Sequence, residues 1–168
     1  MPKKGFYRIE DPLIGDTQGK DAFNYPSDKF IAASGDIKPW PGLKDAEVVV
    51  LHMWIDERLP VKSFDPGTRL LTTTRNFRMM LLDAHPGHTP GNARYFVENI
   101  FETLSEPGEW YLDKQSGKLY YIPREGEKPE TSEVIAPKTG QLVTIQGKPE
   151  SAQFVDNIHF IGLSFQYT

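Results

Sequence analysis

The sequence predicts an all-β protein, in which a β-sandwich leads into the first rungs of a parallel β-helix. The 168 residues include 14 glycines and 14 prolines, a turn-rich composition that favours many short strands over long helices. Residues 47–74 hold consecutive strand-forming segments separated by turn residues. Beyond residue 131 the segments become shorter, and their apolar residues are arranged around tight corners as in a β-helix.

The sandwich is predicted to contain strands from residue 47 onward. Residues 1–45 are rich in turn residues, and only the segment "KFIAA" is typical of a strand there. The run "EVVVLHMWI" predicts a strand over 47–55 that is apolar on both faces and therefore central in its sheet. Two further antiparallel strands are predicted over 59–65 and 68–74.

The alternation of residues within 59–65 and the segments after residue 92 add detail to this prediction. Alternation along the second predicted strand places Leu59, Val61 and Ser63 on one side. The segment "ARYFVEN" predicts another strand. The segment "NIFETLSEPG" then predicts one or two helical turns, with Asn99 as the N-cap.

A β-hairpin is predicted from the segment "EWYLDKQSGKLYYIP". Its loop of four residues ends in Gly117, which suits a type I turn followed by a left-handed residue. Asp113 is placed to accept backbone N–H bonds inside this turn. The sequence therefore predicts the type of turn that connects the two strands of this hairpin.

The aromatic residues of this hairpin have two interpretations, because exposed aromatic pairs bind sugar rings and buried pairs form a core. Trp110 and Leu112 share one face of the first strand. Leu119 and Tyr121 share one face of the second. Pairing these two faces predicts a hairpin packed toward the core, so we interpret the element as structural.

The last part of the chain predicts the start of a β-helix. The segment "NIHFIGLSF" follows a charged linker and places Ile158, Phe160, Leu163 and Phe165 around a glycine kink, as a β-helix rung requires. An open rung exposes unpaired backbone. We therefore expect the 168 residues to be part of a longer chain, or to pack against something outside it.

Composition narrows the partners and cofactors. The net charge of -4 is not concentrated in a run, so neither nucleic acid nor an anionic membrane is an expected partner. The chain has no cysteine, which excludes a disulfide framework and a cysteine nucleophile. No Gly-rich phosphate loop or nucleophile elbow occurs, and we expect no cofactor. No signal peptide and no apolar run of roughly 20 residues is present.

One long stretch carries a family likeness. The segment "ARYFVENIFETLSEPGEWYLDKQSGKLYYIPREGE", followed by "VIAP", "LVTIQG" and "VDNIHFIGLSF", resembles the N-terminal half of bacterial right-handed parallel β-helix glycoside hydrolases. These enzymes include β-xylosidase-like and fucosidase- or xylanase-like members. The likeness spans about residues 22–168 and is strongest over 93–168. It implies a jelly-roll-like β-sandwich, followed by the first rungs of a right-handed parallel β-helix, with the catalytic carboxylates on later rungs.

The residues that suit catalysis or metal binding do not assemble into a predicted site. Glycoside hydrolysis ordinarily uses two carboxylates, and the candidate pairs are Asp56 with Glu57 and Glu106 with Glu109. Adjacent strand residues point to opposite faces, which argues against the first pair, and both pairs are better placed in turns or solvated loops. The histidines of "HPGH", His85 and His88, lack a signalled third ligand. We predict no catalytic residue and no metal site.

Substrate binding is predicted for His52, Trp54 and Arg58, in the segment "HMWIDER". Alternation places His52 and Trp54 on one face of the strand, and Met53 and Ile55 on the other. If the second pair is buried, an indole surface for a sugar lies beside hydrogen-bond donors. The alternative is a core Trp54 and a buried, satisfied His52.

Together the residues and the resemblance predict a non-catalytic part of an exported, extracellular or periplasmic, enzyme that hydrolyses glycosidic bonds in polysaccharide. The sandwich, over 1–130, would shape or support the substrate cleft, and the β-helix would begin at 131–168. Expected partners are an oligo- or polysaccharide and the remainder of the β-helix chain, with homo-oligomer contacts as a further structural role. The alternatives are a stand-alone carbohydrate-binding module and part of a β-helix polysaccharide lyase.

Overall fold

Short strands and 3₁₀ turns account for the regular structure of the computed structural model, which describes residues 5–13, 27–52, 54–83 and 91–166. No α-helix occurs in these ranges, so the all-β prediction is confirmed. The strands are β1 (Tyr7–Arg8), β2 (Lys29–Ile31), β3 (Glu47–Leu51), β4 (Asp56–Asp65), β5 (Leu70–Thr73), β6 (Leu82–Asp83), β7 (Gly91–Asn92), β8 (Arg94–Glu98), β9 (Trp110–Asp113) and β10 (Lys118–Tyr121).

Six of these strands form one curled sheet in the order β1-β8-β3-β4-β5-β2, and every neighbouring pair is antiparallel. The two edges of the sheet meet, because the backbone just after β1, at Glu10 and Asp11, hydrogen bonds with Ile31 of β2. Joining the edges in this way protects strands that would otherwise expose unpaired backbone groups. No parallel strand pair occurs among the described residues.

Strand β3 is central in this sheet, as its sequence predicts. Val48, Val49 and Val50 are all fully buried, so both faces of the strand are covered. The strand is shorter than predicted, because it ends at Leu51 and the chain turns back with a bond from the His52 N–H to the Ile55 carbonyl. This early turn is what places the polar segment of residues 52–58.

Strand β4 departs from simple alternation at a bulge. Leu59 and Val61 are buried as predicted, but Ser63 is exposed. The register with β5 shifts between Val61 and Ser63, and the extra residue of a bulge reverses the inward and outward positions. Phe64 consequently replaces Ser63 as the next residue that packs against the core.

Asn99 forms a left-handed corner and does not serve as the predicted N-cap. Its φ is 57°, and the 3₁₀ turn that follows covers only Phe101–Thr103, with Ile100 at the capping position. The Asn99 Nδ2 donates to the carbonyls of Asp45 at 2.9 Å and Leu112 at 3.3 Å, and its Oδ1 accepts the Leu112 N–H at 3.1 Å. The amide therefore pairs with β9 as a neighbouring strand would.

The hairpin of β9 and β10 has the predicted left-handed Gly117 and the predicted hydrogen bonds to Asp113. Asp113 Oδ1 accepts the backbone N–H of Gln115 at 2.9 Å and of Ser116 at 3.3 Å. Gly117 closes the turn with a φ of 70°. This part of the prediction is confirmed because the chemistry of the turn is local.

The predicted orientation of this hairpin is wrong. The buried residue is Tyr111, whose ring packs against Phe101 at 5.4 Å and whose hydroxyl donates to Asp45 Oδ2 at 3.2 Å. These partners lie in the 3₁₀ turns Phe101–Thr103 and Pro41–Asp45, which alternation within the hairpin does not reveal. The opposite face, predicted to be buried, is exposed and consists of Trp110, Leu112, Leu119 and Tyr121.

Residues 127–168 form a second compact unit, after a first that spans 1–126. The described part of the second unit has two 3₁₀ turns and one isolated bridge, Lys148 with Gln153, and none of the predicted strands. A β-helix strand pairs with its equivalent in the next rung, so strand assignment there depends on neighbouring rungs. The predicted division at residue 130 stays a prediction. No helix in the described ranges is long and apolar enough to cross a bilayer.

Replacing Asn99 by alanine is expected to lower the free energy of unfolding by about 2–4 kcal/mol. The change removes three hydrogen bonds, each worth about 1 kcal/mol, and places alanine in a left-handed conformation that asparagine tolerates better. Urea denaturation followed by tryptophan fluorescence measures this loss. Asn99→Gly is the control, since glycine accepts the left-handed backbone and should retain only the loss from the hydrogen bonds. Wild-type stability in both variants would contradict this role.

Candidate functional site

A cleft of about 450 Å³ lies within the first unit, between the outer face of the sheet and the hairpin. Its floor includes the apolar residues Ile100 and Leu104. We call it the hairpin cleft, and define it by six residues around its rim: Glu47, Arg58, Glu98, Trp110, Leu112 and Lys114. Arg58, one of the predicted substrate-binding residues, thus lines this cleft.

Two ion pairs occupy the polar side of the hairpin cleft. Glu47 of β3 and Glu98 of β8 are direct cross-strand neighbours, an arrangement that is unfavourable for two like charges. The Arg58 guanidinium contacts the Glu98 carboxylate, and Lys114 Nζ lies 3.0 Å from Glu47 Oε1. Each of the two adjacent carboxylates therefore has its own cation, one from the sheet and one from the hairpin turn.

The fold separates the candidate carboxylates Asp56 and Glu57, and it uses Glu109 of the second pair to hold a loop. Asp56 and Glu57 both belong to β4 and not to a turn, and they lie on its two faces, with Asp56 exposed and Glu57 buried. Glu109 caps a loop, since its Oε2 accepts the backbone N–H of Ser105 at 2.8 Å and of Glu106 at 3.1 Å. His85 and His88 lie outside the described residues.

His52 and Trp54 do not share an exposed face, contrary to the expectation from alternation. The His52 side chain is buried, whereas Trp54 is 62% exposed in the turn between β3 and β4. Ile55 is also partly exposed, at 39%, and Met53 lies outside the described residues. The alternation fails because β3 ends one residue before His52, so these residues belong to a turn.

His52 pairs with Glu57 on the inner side of the sheet. The His52 Nε2 lies 3.0 Å from Glu57 Oε2, and both carboxylate oxygens accept the Arg78 N–H at 2.9 Å. A buried carboxylate requires such donors. Burial lowers the pKa of His52, against the opposing effect of the Glu57 carboxylate. The pair ties the turn that carries Trp54 to the backbone at residue 78.

Sequence reasoning missed Trp110 and Leu112 as exposed cleft residues. The signal for their exposure is the burial of Tyr111 on the opposite face. That burial depends on a partner for the Tyr111 hydroxyl, which Asp45 supplies from 66 residues earlier in the chain. The substrate-binding role of His52, Trp54 and Arg58 stays a prediction. Their positions are now distinct, with Arg58 in the hairpin cleft, Trp54 on an exposed turn and His52 buried beside Glu57.

The buried His52 is expected to make stability depend on pH. Its pKa is lower in the folded chain than the unfolded value of about 6.5, so the unfolded chain binds more protons between these values. The contribution of neutral His52 to the free energy of unfolding should therefore be fully present above about pH 6.5. It should be lost as the pH falls from there through the folded pKa, by at most about 1.4 kcal/mol per pH unit.

Urea denaturation between pH 5 and pH 8 tests this dependence. His52→Asn supplies an amide donor that does not titrate and should flatten the profile. His159→Asn, at an exposed histidine, is the matched control and should leave the profile unchanged. An unchanged slope in His52→Asn would assign the dependence to other groups.

The part of the chain that forms the hairpin cleft also matches a known family. A family model described as the GH141 insertion domain matches residues 40–124, which include β3 to β10, the hairpin cleft and the His52–Glu57 pair. No curated protein and no solved structure matches the chain significantly. Because the family model covers just over half of the residues, the chain belongs to the GH141 insertion domain family, a glycoside hydrolase-related group.

Proposed function

We propose that this chain is a non-catalytic domain of an exported enzyme that hydrolyses glycosidic bonds in polysaccharide, and that it shapes or supports the substrate cleft of that enzyme. The family match over residues 40–124 carries the proposal, because it connects the chain with glycoside hydrolases. The proposed partners are a polysaccharide and the remainder of the enzyme. Contacts between copies of the chain are a further proposed role, which light scattering tests.

The state of the cleft carboxylates supports a non-catalytic role. A glycosidase acid typically lies in an apolar pocket that keeps its proton, opposite a second carboxylate. In the hairpin cleft Glu98 contacts Arg58, and Glu47 contacts Lys114. Neither of these two carboxylates therefore lies in an apolar pocket of that kind, because each contacts a cation.

We also propose the finer fold that the resemblance implies, a jelly-roll-like sandwich followed by rungs of a right-handed parallel β-helix. Within the second unit, exposed apolar side chains line an open depression, and two of them, Phe160 and Phe165, have ring centroids 5.9 Å apart. Gly162 between them has a φ of 67°, which provides a tight corner. Apolar residues on both sides of such a corner are what a rung requires.

A second candidate function is a carbohydrate-binding module that uses Trp54 and Arg58. Trp54 is 62% exposed and Arg58 is about half exposed, so an indole surface and a guanidinium are both accessible. His52 enters this proposal indirectly, because its contact with Glu57 holds the turn that presents Trp54. A β-helix polysaccharide lyase remains the alternative parent enzyme.

The purified chain is expected not to hydrolyse xylo-, fuco- or pectic oligosaccharides. Reducing-end assays after prolonged incubation measure this directly. Two single variants, Glu47→Gln and Glu98→Gln, serve as controls, because each removes one of the two neighbouring carboxylates of the hairpin cleft. Hydrolysis that either variant abolishes would overturn the non-catalytic role.

For the binding-module candidate, Trp54→Ala is expected to weaken glycan binding about tenfold, because it removes an exposed indole from the contact surface. Isothermal titration calorimetry with the same oligosaccharides measures the change. Binding heat that Trp54→Ala leaves intact would contradict this candidate, and so would the absence of heat with every glycan.

A further inference from the structure

We infer that the hairpin cleft is a binding subsite for a neutral glycan, with Trp110 as its apolar surface and the two ion pairs as its hydrogen-bonding side. The inference deepens the proposed function, on which it rests for the ligand being a carbohydrate. It assigns that ligand to the hairpin and not to the turn that carries Trp54. It also restricts the ligand to sugars without a carboxylate.

The size and lining of the cleft suit a sugar ring. Its volume of about 450 Å³ falls within the range of about 300–1,000 Å³ that is usual for small-molecule sites. Trp110 is 60% exposed at its rim, and Leu112 adds apolar area beside it. An exposed indole next to polar groups is the combination that binds the apolar C–H face of a pyranose while its hydroxyls stay hydrogen bonded.

The other aromatic cavity of the hairpin is less suitable. It has a volume of about 300 Å³ and contains Phe101, Tyr111 and Tyr120. These rings contact one another, with centroids 5.2–6.0 Å apart and Phe101 edge-on to both tyrosines. Part of each ring is therefore used in packing within the protein, and Tyr111 is buried. This comparison favours the Trp110 side of the hairpin.

The polar groups of the cleft match the hydroxyls of a sugar. A hydroxyl both donates and accepts, whereas a carboxylate only accepts and a guanidinium or ammonium only donates. Arg58 with Glu98, and Lys114 with Glu47, each place one donor group beside one acceptor group. A pair of neighbouring hydroxyls can therefore bind without breaking either ion pair, by donating to the carboxylate and accepting from the cation.

The charge of the cleft disfavours a uronic acid. Its charged lining residues are three carboxylates, Glu47, Glu98 and Glu109, and two cations, Arg58 and Lys114. Both cations are already engaged. A sugar carboxylate would have to displace Glu47 or Glu98 from its cation and leave that residue unpaired beside its neighbour. A neutral glycan has no such cost.

Calorimetric titration of the whole chain with xylohexaose and with hexagalacturonate tests the inference. We expect xylohexaose to bind at least about tenfold more tightly than hexagalacturonate, and Trp110→Ala to weaken xylohexaose binding about tenfold. Tyr120→Ala is the matched control, because it removes an aromatic residue from the opposite face of the same hairpin. Its affinity for xylohexaose should stay within about threefold of the wild type.

A charge variant tests the selectivity separately. Glu98→Gln keeps a hydrogen-bonding side chain but frees the Arg58 guanidinium from its partner in the cleft. It should raise the affinity for hexagalacturonate at least about threefold. An unchanged affinity for hexagalacturonate would overturn the assignment to neutral sugars.

Three results would overturn the subsite itself: no heat with either glycan, wild-type affinity in Trp110→Ala, or an equal loss in Trp110→Ala and Tyr120→Ala. The last result would mean that a loosened hairpin explains the loss. These outcomes leave the non-catalytic role standing. Conversely, hydrolysis that depends on a carboxylate of this chain would overturn the proposed function, whatever the result with Trp110→Ala.

Discussion

The arrangement of the hairpin against the sheet depends on one side-chain amide. Asn99 ends strand β8 in a left-handed conformation, which turns the chain toward the 3₁₀ segment that follows. Its amide then bonds to both the N–H and the carbonyl of Leu112, as well as to the carbonyl of Asp45. Leu112 is opposite Leu119 in the hairpin, and its backbone groups point away from β10, so Asn99 satisfies an edge that would otherwise be open. The hairpin cleft exists because this contact sets the distance between β9 and the sheet.

The same contact decides which face of the hairpin is buried. Once Leu112 is fixed to Asn99, Tyr111 faces Phe101 and Asp45, and its hydroxyl finds an acceptor there. A tyrosine that is buried needs such a partner, whereas Trp110 at the rim can direct its polar group to solvent. The exposed set of Trp110 and Leu112 is therefore a consequence of where the tyrosine hydroxyl is satisfied. Hydrophobicity alone does not distinguish the two faces, since both carry aromatic residues.

The sequence predicts the features that depend on neighbouring residues and fails on those that depend on distant ones. The turn from Asp113 to Gly117 and the burial of β3 on both faces were predictable, because the turn chemistry and the apolar run are local. The position of His52 was not, because one residue of difference in the end of β3 converts strand alternation into a turn. Of the candidate site, Arg58 was identified from its place in a polar segment. Trp110 was assigned to the core because its partners across the chain are invisible to alternation.

The ion pair between Lys114 and Glu47 contributes little to folding but affects what the hairpin cleft can bind. Both side chains are partly exposed, and pairs of this kind contribute roughly 0–1 kcal/mol to folding. The pair is therefore a minor part of what holds the hairpin, compared with the three bonds of Asn99. Its effect is instead on position and charge, because it draws the tip of the hairpin toward β3 and neutralises one of two adjacent carboxylates. A cleft whose polar groups are already paired loses little by accepting neutral hydroxyls, and it would have to break a pair to accept an anion. The geometry that closes the cleft and the selectivity that we propose for it consequently have the same origin.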